Sequence, residues 1–447
     1  MYTRLCSSLL FPLHERVKGH TSTALRRDLE RTQWLPPEEL SQLQLTRLQG
    51  FLTRAQKSVP YYRALFRQCR FDPAQLSSLA QLRQIPFMTK PLIRANGAEL
   101  KAENAGRLIR YNTGGSSGEP LVFFMGMERV SHDVAAKWRA TRWWGVDIGD
   151  PEIVLWGSPI EIGAQDRLRS LRDLVLRSRL LPAFDMSEAR MDEYLRDIRR
   201  TRPRMMFGYA SAMARLAAYA RSTGIPLAEA GVRVVFVTGE TLYPDQRQVI
   251  EAAFSAPVAN GYGARDAGFV AHQCPSGSLH VSSEHVIVEL VDGEGNGVGP
   301  GESGEIVVTH LATAAFPFIR YRTGDMAVQS PHPCACGRGL PVLEQVLGRS
   351  TDFIRTRSGI VMHALALIYE VRGQPGVQAF KFLQAADYSI ELHIAAGAEF
   401  TSEVEARALA GLRRRLGPDT PIRIARVEHI PPERSGKHRY VVSQIPG

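Results

Sequence analysis

Cysteine is scarce, with five residues in a chain of 447, and the count is odd. That argues against the disulfide frameworks that staple small secreted domains and leaves the thiols available for metal binding. Long apolar runs are missing too. No stretch approaches the roughly 18 uninterrupted apolar residues of a membrane-spanning helix, so no membrane span is expected. The opening MYTRLCSSLLFPLHERVKGH carries a basic residue and a short apolar run, but Pro12, His14 and Glu15 break it and no small-residue cleavage pattern follows. It does not read as a signal peptide, and the expected location is the cytoplasm. Internal repeats and low-complexity tracts are absent. So is the Gly-Lys-Ser/Thr ending of a Walker A loop. No zinc-finger, helix-turn-helix or RNA-recognition pattern occurs, so no nucleic-acid partner is expected.

What is present is a globular composition, 44% hydrophobic and 22% charged, in a chain long enough for two domains. The net charge of +10 comes mainly from arginine spread along the chain. It suits either a solvated basic surface or anionic ligands such as ATP and coenzyme A. Residues 1–105 read as a mainly helical lead-in, with Leu40, Leu43, Leu45, Leu48 and Leu52 at helical spacing. From 106 to 348, buried-strand runs such as EIVLWG (152–157) and VRVVFVTGE (232–240) alternate with helical periodicity at 188–200 and 209–222. That alternation predicts an α/β sheet. After Gly348 the pattern changes to a helix (364–373), two strands (377–383, 389–395), a helix (402–416) and a strand (421–428). The fold class expected is α/β, a large N-terminal domain over 1–348 with a small C-terminal α+β domain over 349–447.

The first chemical motif is YNTGGSSGEP (111–120). Its glycines permit close backbone approach, and its hydroxyls and amides can donate to phosphate oxygens. Alone it is equally a Gly/Ser-rich turn between strands. Downstream come VTGETL (237–242), GYGARDAG (261–268), YRTGD (321–325), GRSTD (348–352) and RSGKHR (434–439). Taken in this order the set resembles the adenylate-forming superfamily, which includes acyl-CoA synthetases, and within it the phenylacetate–CoA ligase-like branch.

The resemblance implies an enzyme that activates a carboxylic acid with ATP and Mg²⁺ and then transfers the acyl group to a thiol. It gives Thr113, Gly114, Gly115, Ser116, Ser117 and Gly118 to the ATP phosphates. Gly239 and Glu240 go beside the adenine, and Tyr262 and Gly263 near the base. Asp325 would bind the ribose and Arg349 the nucleotide, with Asp352 as the hinge before the C-terminal lid. Asp266 stands where the family commonly has a glutamate for magnesium, and Arg265 where it often has a threonine. Lys437, on a Gly-flanked loop, would be the catalytic cation between carboxylate and α-phosphate, whose mutual repulsion it offsets. Trp138, Phe207, Tyr209 and Gly261 are candidates for an acyl pocket suited to an aryl or medium acyl acid, although tryptophans at helical spacing pack in cores more often than they line pockets.

A second site is suggested by Cys274-x5-His280 and Cys334-x-Cys336. Three thiolates and an imidazole suit tetrahedral, structural zinc, with His272 or His332 as alternative nitrogen ligands. The acyl acceptor stays open between coenzyme A, a carrier protein and an amine. So does a non-catalytic nucleotide-binding or zinc-stapled interaction protein. The oligomeric state, monomer or homodimer, is not readable from the sequence.

Overall fold

The computed structural model describes residues 1–113, 121–156, 167–183, 186–349, 353–356, 361–363, 365–372, 374–417, 420–431 and 440–445. It divides into two compact units, Met1–Thr323 with Ala327–Val346, and Gly324–Met326 with Leu347–Gly447.

The larger unit begins with helices. Pro37–Ser58 starts on a proline with Glu38 and Glu39 in its first turn, where acidic side chains complement the helix dipole. Its buried residues Leu40, Gln44, Leu48, Phe51, Leu52 and Ala55 recur every three or four positions. The apolar periodicity continues beyond Ser58, but the helix does not. Pro60 forces the preceding Val59 into an extended conformation (φ −112°, ψ 112°), and a second helix, Pro60–Gln68, starts afresh.

The strands run in chain order as β1 (Ile109–Asn112), β2 (Val122–Met125), β3 (Glu152–Trp156), β4 (Ser178–Pro182), β5 (Met205–Gly208), β6 (Val234–Thr238), β7 (Val258–Ala264), β8 (Gly268–Gln273), β9 (Leu279–Val281), β10 (Val286–Val291), β11 (Ser303–His310), β12 (Phe318–Gln329) and β13 (Val342–Arg349). β1 and β2 form an antiparallel ribbon. The others make an 11-stranded sheet in the order β10-β11-β12-β13-β9-β8-β7-β6-β5-β3-β4. From β4 to β7 all pairings are parallel. The connections from β4 through to β7 pass through helices Glu188–Thr201, Ala210–Ser222 and Pro244–Phe254. Every residue of β5 and β6 is buried, as expected of strands covered on both faces. Beyond β7 the pairing with β8 and β9 becomes antiparallel.

Two large hydrophobic clusters stand out among the described residues of this unit. One packs Ile153, Leu155, Val235 and Val237 against Ile250 and Phe254. The other joins the early helices, through Phe51, Tyr62 and Phe66, to Phe123, Phe318 and Tyr321. The smaller unit carries β14 (Phe353–Arg355), β15 (Val361–His363), β16 (Val377–Gln384), β17 (Ile390–Ala396), β18 (Ile422–Val427) and β19 (Val441–Ser443). Four of them form a sheet in the order β18-β17-β16-β19. Its helix Ser402–Leu416 is capped by Thr401, whose hydroxyl accepts from the Val404 amide, and has Glu403 and Glu405 in the first turn and Arg413–Arg415 in the last. That distribution matches the helix dipole at both ends.

Candidate functional site

The crevice at the carboxyl ends of parallel strands is where open α/β sheets bind ligands. Here β3 ends on Trp156, β5 on Gly208 and β6 on Thr238. The Trp156 and Tyr209 rings stack at 4.2 Å, and Trp156 lies 5.9 Å from Phe207, which in turn stacks on Phe236 at 5.8 Å. Gly239 follows β6 with φ +80°, and a β-carbon there would meet Trp156 and Tyr209 at 3.3 Å. Only glycine reaches this conformation without cost and leaves the rings their space. The Glu240 carboxylate accepts from the Ser211 amide at 2.9 Å and so caps helix Ala210–Ser222. Gly261 lies in β7, where a β-carbon would come within 3.0 Å of the Phe236 ring.

Two of the quoted motifs are tied together by one hydrogen bond. The Tyr321 hydroxyl donates to Asp266 Oδ2 at 2.5 Å, while the other carboxylate oxygen accepts from the Ala267 amide at 3.1 Å. Tyr321 is fully buried and Asp266 is 6% exposed. Arg129, itself buried, pins the same loop through the carbonyls of Asp266 (3.2 Å) and Arg265 (3.4 Å), with its Nε held by Asp133 at 3.0 Å. Arg265 donates to the carbonyl of Asn112 at 3.1 Å, which sets the guanidinium against the strand leading into the Gly/Ser-rich loop. That loop is closed at its neck by Thr113, whose amide donates to the Leu121 carbonyl and whose hydroxyl accepts from the Leu121 amide, both at 3.0 Å. Just before the YRTGD motif, Arg320 holds the left-handed φ of +48°. Such strain costs on the order of 1–3 kcal/mol. It is over-determined here by both Glu289 oxygens (3.0 and 3.1 Å), the carbonyl of Ile85 (2.8 Å) and the Phe87 ring (4.1 Å).

Of the other expected residues, Tyr262 and Gly263 lie in β7, and Gly263 stands so close to Gly268 that a β-carbon would be 2.4 Å from its carbonyl oxygen. Asp325 is a half-buried residue of β12, one position after Gly324. Arg349 ends β13, its side chain outside the described residues. Gly114, Gly115, Ser116, Ser117, Gly118, Asp352 and Lys437 also lie outside them. Trp138 does not join the aromatic crevice cluster; its ring packs with Cys6, Phe11 and Ile148. Trp156, Arg129 and Tyr321 carry more of the site than composition or spacing suggests. In the sequence Trp156 shows only as a member of the strand-like run EIVLWG, and Arg129 belongs to no motif.

The candidate metal residues do converge. One ligand atom each from Cys274, His280, Cys334 and Cys336 lies within 4.8 Å of all the others. Cys274 and Cys334 sulfurs are 3.7 Å apart, and Cys336 Sγ is 3.2 Å from His280 Nε2. Two thiolates about 2.3 Å from a tetrahedral ion would stand roughly 3.8 Å apart, so the sulfur spacing fits one. The other ring nitrogen, Nδ1, donates to the Leu340 carbonyl at 3.2 Å, which turns the Nε2 lone pair toward the sulfurs. Burial lowers His280 to about 4, keeping the imidazole neutral. Burial also pushes the Cys274 thiol up to about 11. At Cys334 burial acts the same way but is outweighed by hydrogen bonds from Ser278, Cys336 and Cys274, and the thiol falls below its usual range. Cys274 precedes a tight turn that returns the chain to β9 (Gly277 N–H to Cys274 O, 2.9 Å). Trp143 packs edge-on to His280 at 5.8 Å. His272 pairs with His280 across the β8–β9 ladder but stacks on Phe269 at 5.3 Å and lies outside the four-ligand cluster.

Residues 177–315 match the AMP-binding enzyme family, and residues 353–444 match the CapK C-terminal domain. The chain is 23% identical to protein CapK of Staphylococcus aureus over 91% of its own length and 90% of that protein's. It is 26% identical to the phenylacetate-coenzyme A ligase of Aromatoleum evansii, over 74% and 75% of the two chains. These matches place the chain's similarity in the adenylate-forming superfamily, on its phenylacetate–CoA ligase-like branch. Among solved structures, a 2-hydroxyisobutyryl-CoA ligase in the postadenylation state shares the fold with a TM-score of 0.76 at 20% identity, covering 92% of this chain and 90% of that one. ATP-bound MatB from Rhodopseudomonas palustris gives a TM-score of 0.56 at 19% identity, over 74% and 66%.

Proposed function

We propose that this adenylate-forming ligase converts a carboxylic acid to its acyl-AMP and passes the acyl group to the thiol of coenzyme A. The observation that carries the reading is the Tyr321–Asp266 hydrogen bond, with Arg129 on the same loop. It joins two motifs of the superfamily 55 residues apart, beside the neck of the Gly/Ser-rich loop.

In the first half-reaction the substrate carboxylate attacks the α-phosphorus of ATP and pyrophosphate leaves. Residues 113–118 hold the leaving phosphates, and Arg265, bonded to the Asn112 carbonyl, adds a positive charge beside the strand that leads to them. Gly239, Glu240, Tyr262 and Gly263 flank the base, Asp325 accepts from the ribose hydroxyls, and Arg349 contacts the nucleotide. Lys437 places a compact charge between the two reacting anions. Asp266 retains lone pairs beyond the two bonds it accepts, so its carboxylate is able to hold a magnesium ion, which would neutralise phosphate charge. Phe207, Tyr209, Gly261 and Trp156 wall the acyl group, and the flat ring surfaces favour an aryl or medium acyl acid. In the second half-reaction the smaller unit turns about Asp352, and a thiol attacks the acyl carbonyl; the carbon–sulfur bond forms as the acyl–phosphate bond breaks, AMP leaves, and the thiol proton is released to solvent. Zinc held by Cys274, His280, Cys334 and Cys336 is structural: all four tetrahedral positions are filled by protein, leaving none for substrate. The reaction is that of a cytoplasmic enzyme.

A second acceptor is favoured by one specific observation. The alignment with CapK extends over 91% of the chain, whereas that with the Aromatoleum evansii phenylacetate ligase covers 74%, and the C-terminal domain matches CapK's own type. The C-terminal unit is the one that presents the acceptor in the second half-reaction, so a carrier-protein thiol or an amine is the alternative. ATP–pyrophosphate exchange across a panel of carboxylic acids tests the first half-reaction, and silence with every acid would refute it. Consumption of the resulting acyl-AMP with coenzyme A, a phosphopantetheinyl carrier or amines then separates the acceptors.

A further inference from the structure

Seven large apolar side chains are exposed among the described residues, and five of them, Met1, Leu5, Leu9, Leu13 and Val17, fall at intervals of four on one helical segment. Isolated exposed leucines are ordinary, but a contiguous ridge of them is not. The segment runs as helix Tyr2–Leu5, a single wide π-turn over Cys6–Leu10, and helix Phe11–Val17. In a regular helix of 3.6 residues per turn, each step of four residues overshoots by about 40°, so the stripe would wind round to the opposite side. The wider π-turn shifts the phase the other way and keeps the five side chains outward. Pro12, which cannot donate a helical hydrogen bond, lies in the first turn of the helix that follows this irregular turn.

The opposite face is fixed to the domain. Cys6 and Phe11 pack with Trp138 and Ile148, Tyr2 donates to the Val175 carbonyl at 2.6 Å, and Thr3 donates to Asp150 at 2.9 Å. The ridge is therefore a rigid surface feature. Leu174, the sixth exposed apolar residue at 75%, is next to Val175 in the chain.

Charge selects the occupant. Arg4 and Arg16 are exposed on the outward side, followed by Lys18. Residues 1–27 contain one acidic side chain, Glu15, which is 4% exposed and bonded to His20 and Ser22. We propose that this face is a docking surface for an anionic lipid bilayer, with the helix lying in the interface, its apolar ridge among the acyl chains and its arginines at the headgroups. That arrangement needs an amphipathic helix with basic flanks and no acid facing the membrane. The segment does not reach across a bilayer, since 16 residues of helix extend about 24 Å and carry charge. A second copy of the chain is disfavoured, because pairing this face with itself brings arginine against arginine.

The test is co-sedimentation of the full chain with vesicles of phosphatidylcholine alone or mixed with phosphatidylglycerol, at low and high salt. Binding should be at least roughly tenfold stronger to the anionic vesicles and should weaken with salt. Leu9→Glu with Leu13→Glu, both at exposed positions, should reduce it by roughly tenfold or more while leaving the thermal midpoint unchanged. Arg4→Glu with Arg16→Glu should abolish the preference for anionic lipid. Three results would overturn the proposal. One is no vesicle binding by the unmodified chain. Another is binding that ignores the leucine pair and follows only the arginines, which is adsorption by charge. The third is a lipid-free dimer that the leucine substitutions dissolve, which would make a second copy the occupant.

Discussion

Replacing Tyr321 by Phe removes one oxygen and little else. The ring keeps its edge-on contact with Phe318 at 5.1 Å, and its surroundings are already apolar. What is lost is the donor to Asp266 Oδ2, leaving a carboxylate that is 6% exposed and still accepts from the Ala267 amide. A hydrogen bond to a charged group contributes on the order of 1.5–3 kcal/mol, and a buried acceptor left short of a partner falls in the same range. A midpoint of about 2 kcal/mol corresponds to roughly a 30-fold fall in the folded-to-unfolded ratio. Urea denaturation should show a lower midpoint with an unchanged slope, because the surface exposed on unfolding is the same. The functional effect should be separable. If Asp266 holds magnesium, an unanchored carboxylate binds the ion less well, so ATP–pyrophosphate exchange should fall about tenfold or more at limiting magnesium and recover partly at high magnesium. An unchanged urea midpoint would refute the energetic argument. A normal midpoint for magnesium, with exchange intact, would refute the assignment of Asp266.

Lys437→Ala should slow adenylation far more than thioester formation from supplied acyl-AMP; equal losses in half-reactions measured separately would count against its proposed place between the two anions. Purified, metal-replete protein should contain one zinc per chain by elemental analysis, and Cys336→Ser should lower both the zinc content and the thermal midpoint, since binding free energy at a closed site is folding free energy. Gly239→Ala places a side chain at φ +80° and within 3.3 Å of Trp156 and Tyr209; a destabilisation of roughly 1–3 kcal/mol is expected, read by chemical denaturation. His272 is fully buried and its pKa is lowered from 6.5 to about 3, chiefly by burial. Because the unfolded chain takes up the proton first, stability is fully present above about pH 6.5 and falls as the pH drops toward 3, by about 1.4 kcal/mol per unit for this group. Substituting Phe for His272 should flatten that part of the urea-midpoint profile.

The parts of this molecule that could be read in advance are those in which neighbouring residues carry the information. Helix Ser402–Leu416 shows its cap, its acidic first turn and its basic last turn in the letters themselves. β6 reads as an unbroken apolar run because both its faces are covered. The two-helix break at Val59–Pro60 is equally local, but apolar residues at helical spacing (Ala55, Val59, Tyr62, Phe66) run across it and mask it until the proline's effect on the preceding residue is considered. What could not be read are the contacts that depend on register over long separations. The choice of His280 over His272 follows from how each ring leaves the β8–β9 ladder, a matter of side-chain direction within one pair of strands.

The same reasoning explains why motif spelling undersold the site. A motif names residues that touch a ligand, whereas the residues that hold those in place answer to this chain's own packing. Arg129 sits on helix Met127–Trp143 with no pattern around it, yet its guanidinium reaches two carbonyls of the loop that carries Asp266. Its neighbours His132 and His310 are buried beside it, and His132 Nδ1 faces the same Asp133 at 3.8 Å. A buried cation loses its solvation, so Arg129 depends on Asp133 and on the loop carbonyls. The dependence runs both ways. The loop is rigid because a buried charge needs it, and that coupling places Asp266 opposite Tyr321 instead of leaving it an exposed turn residue.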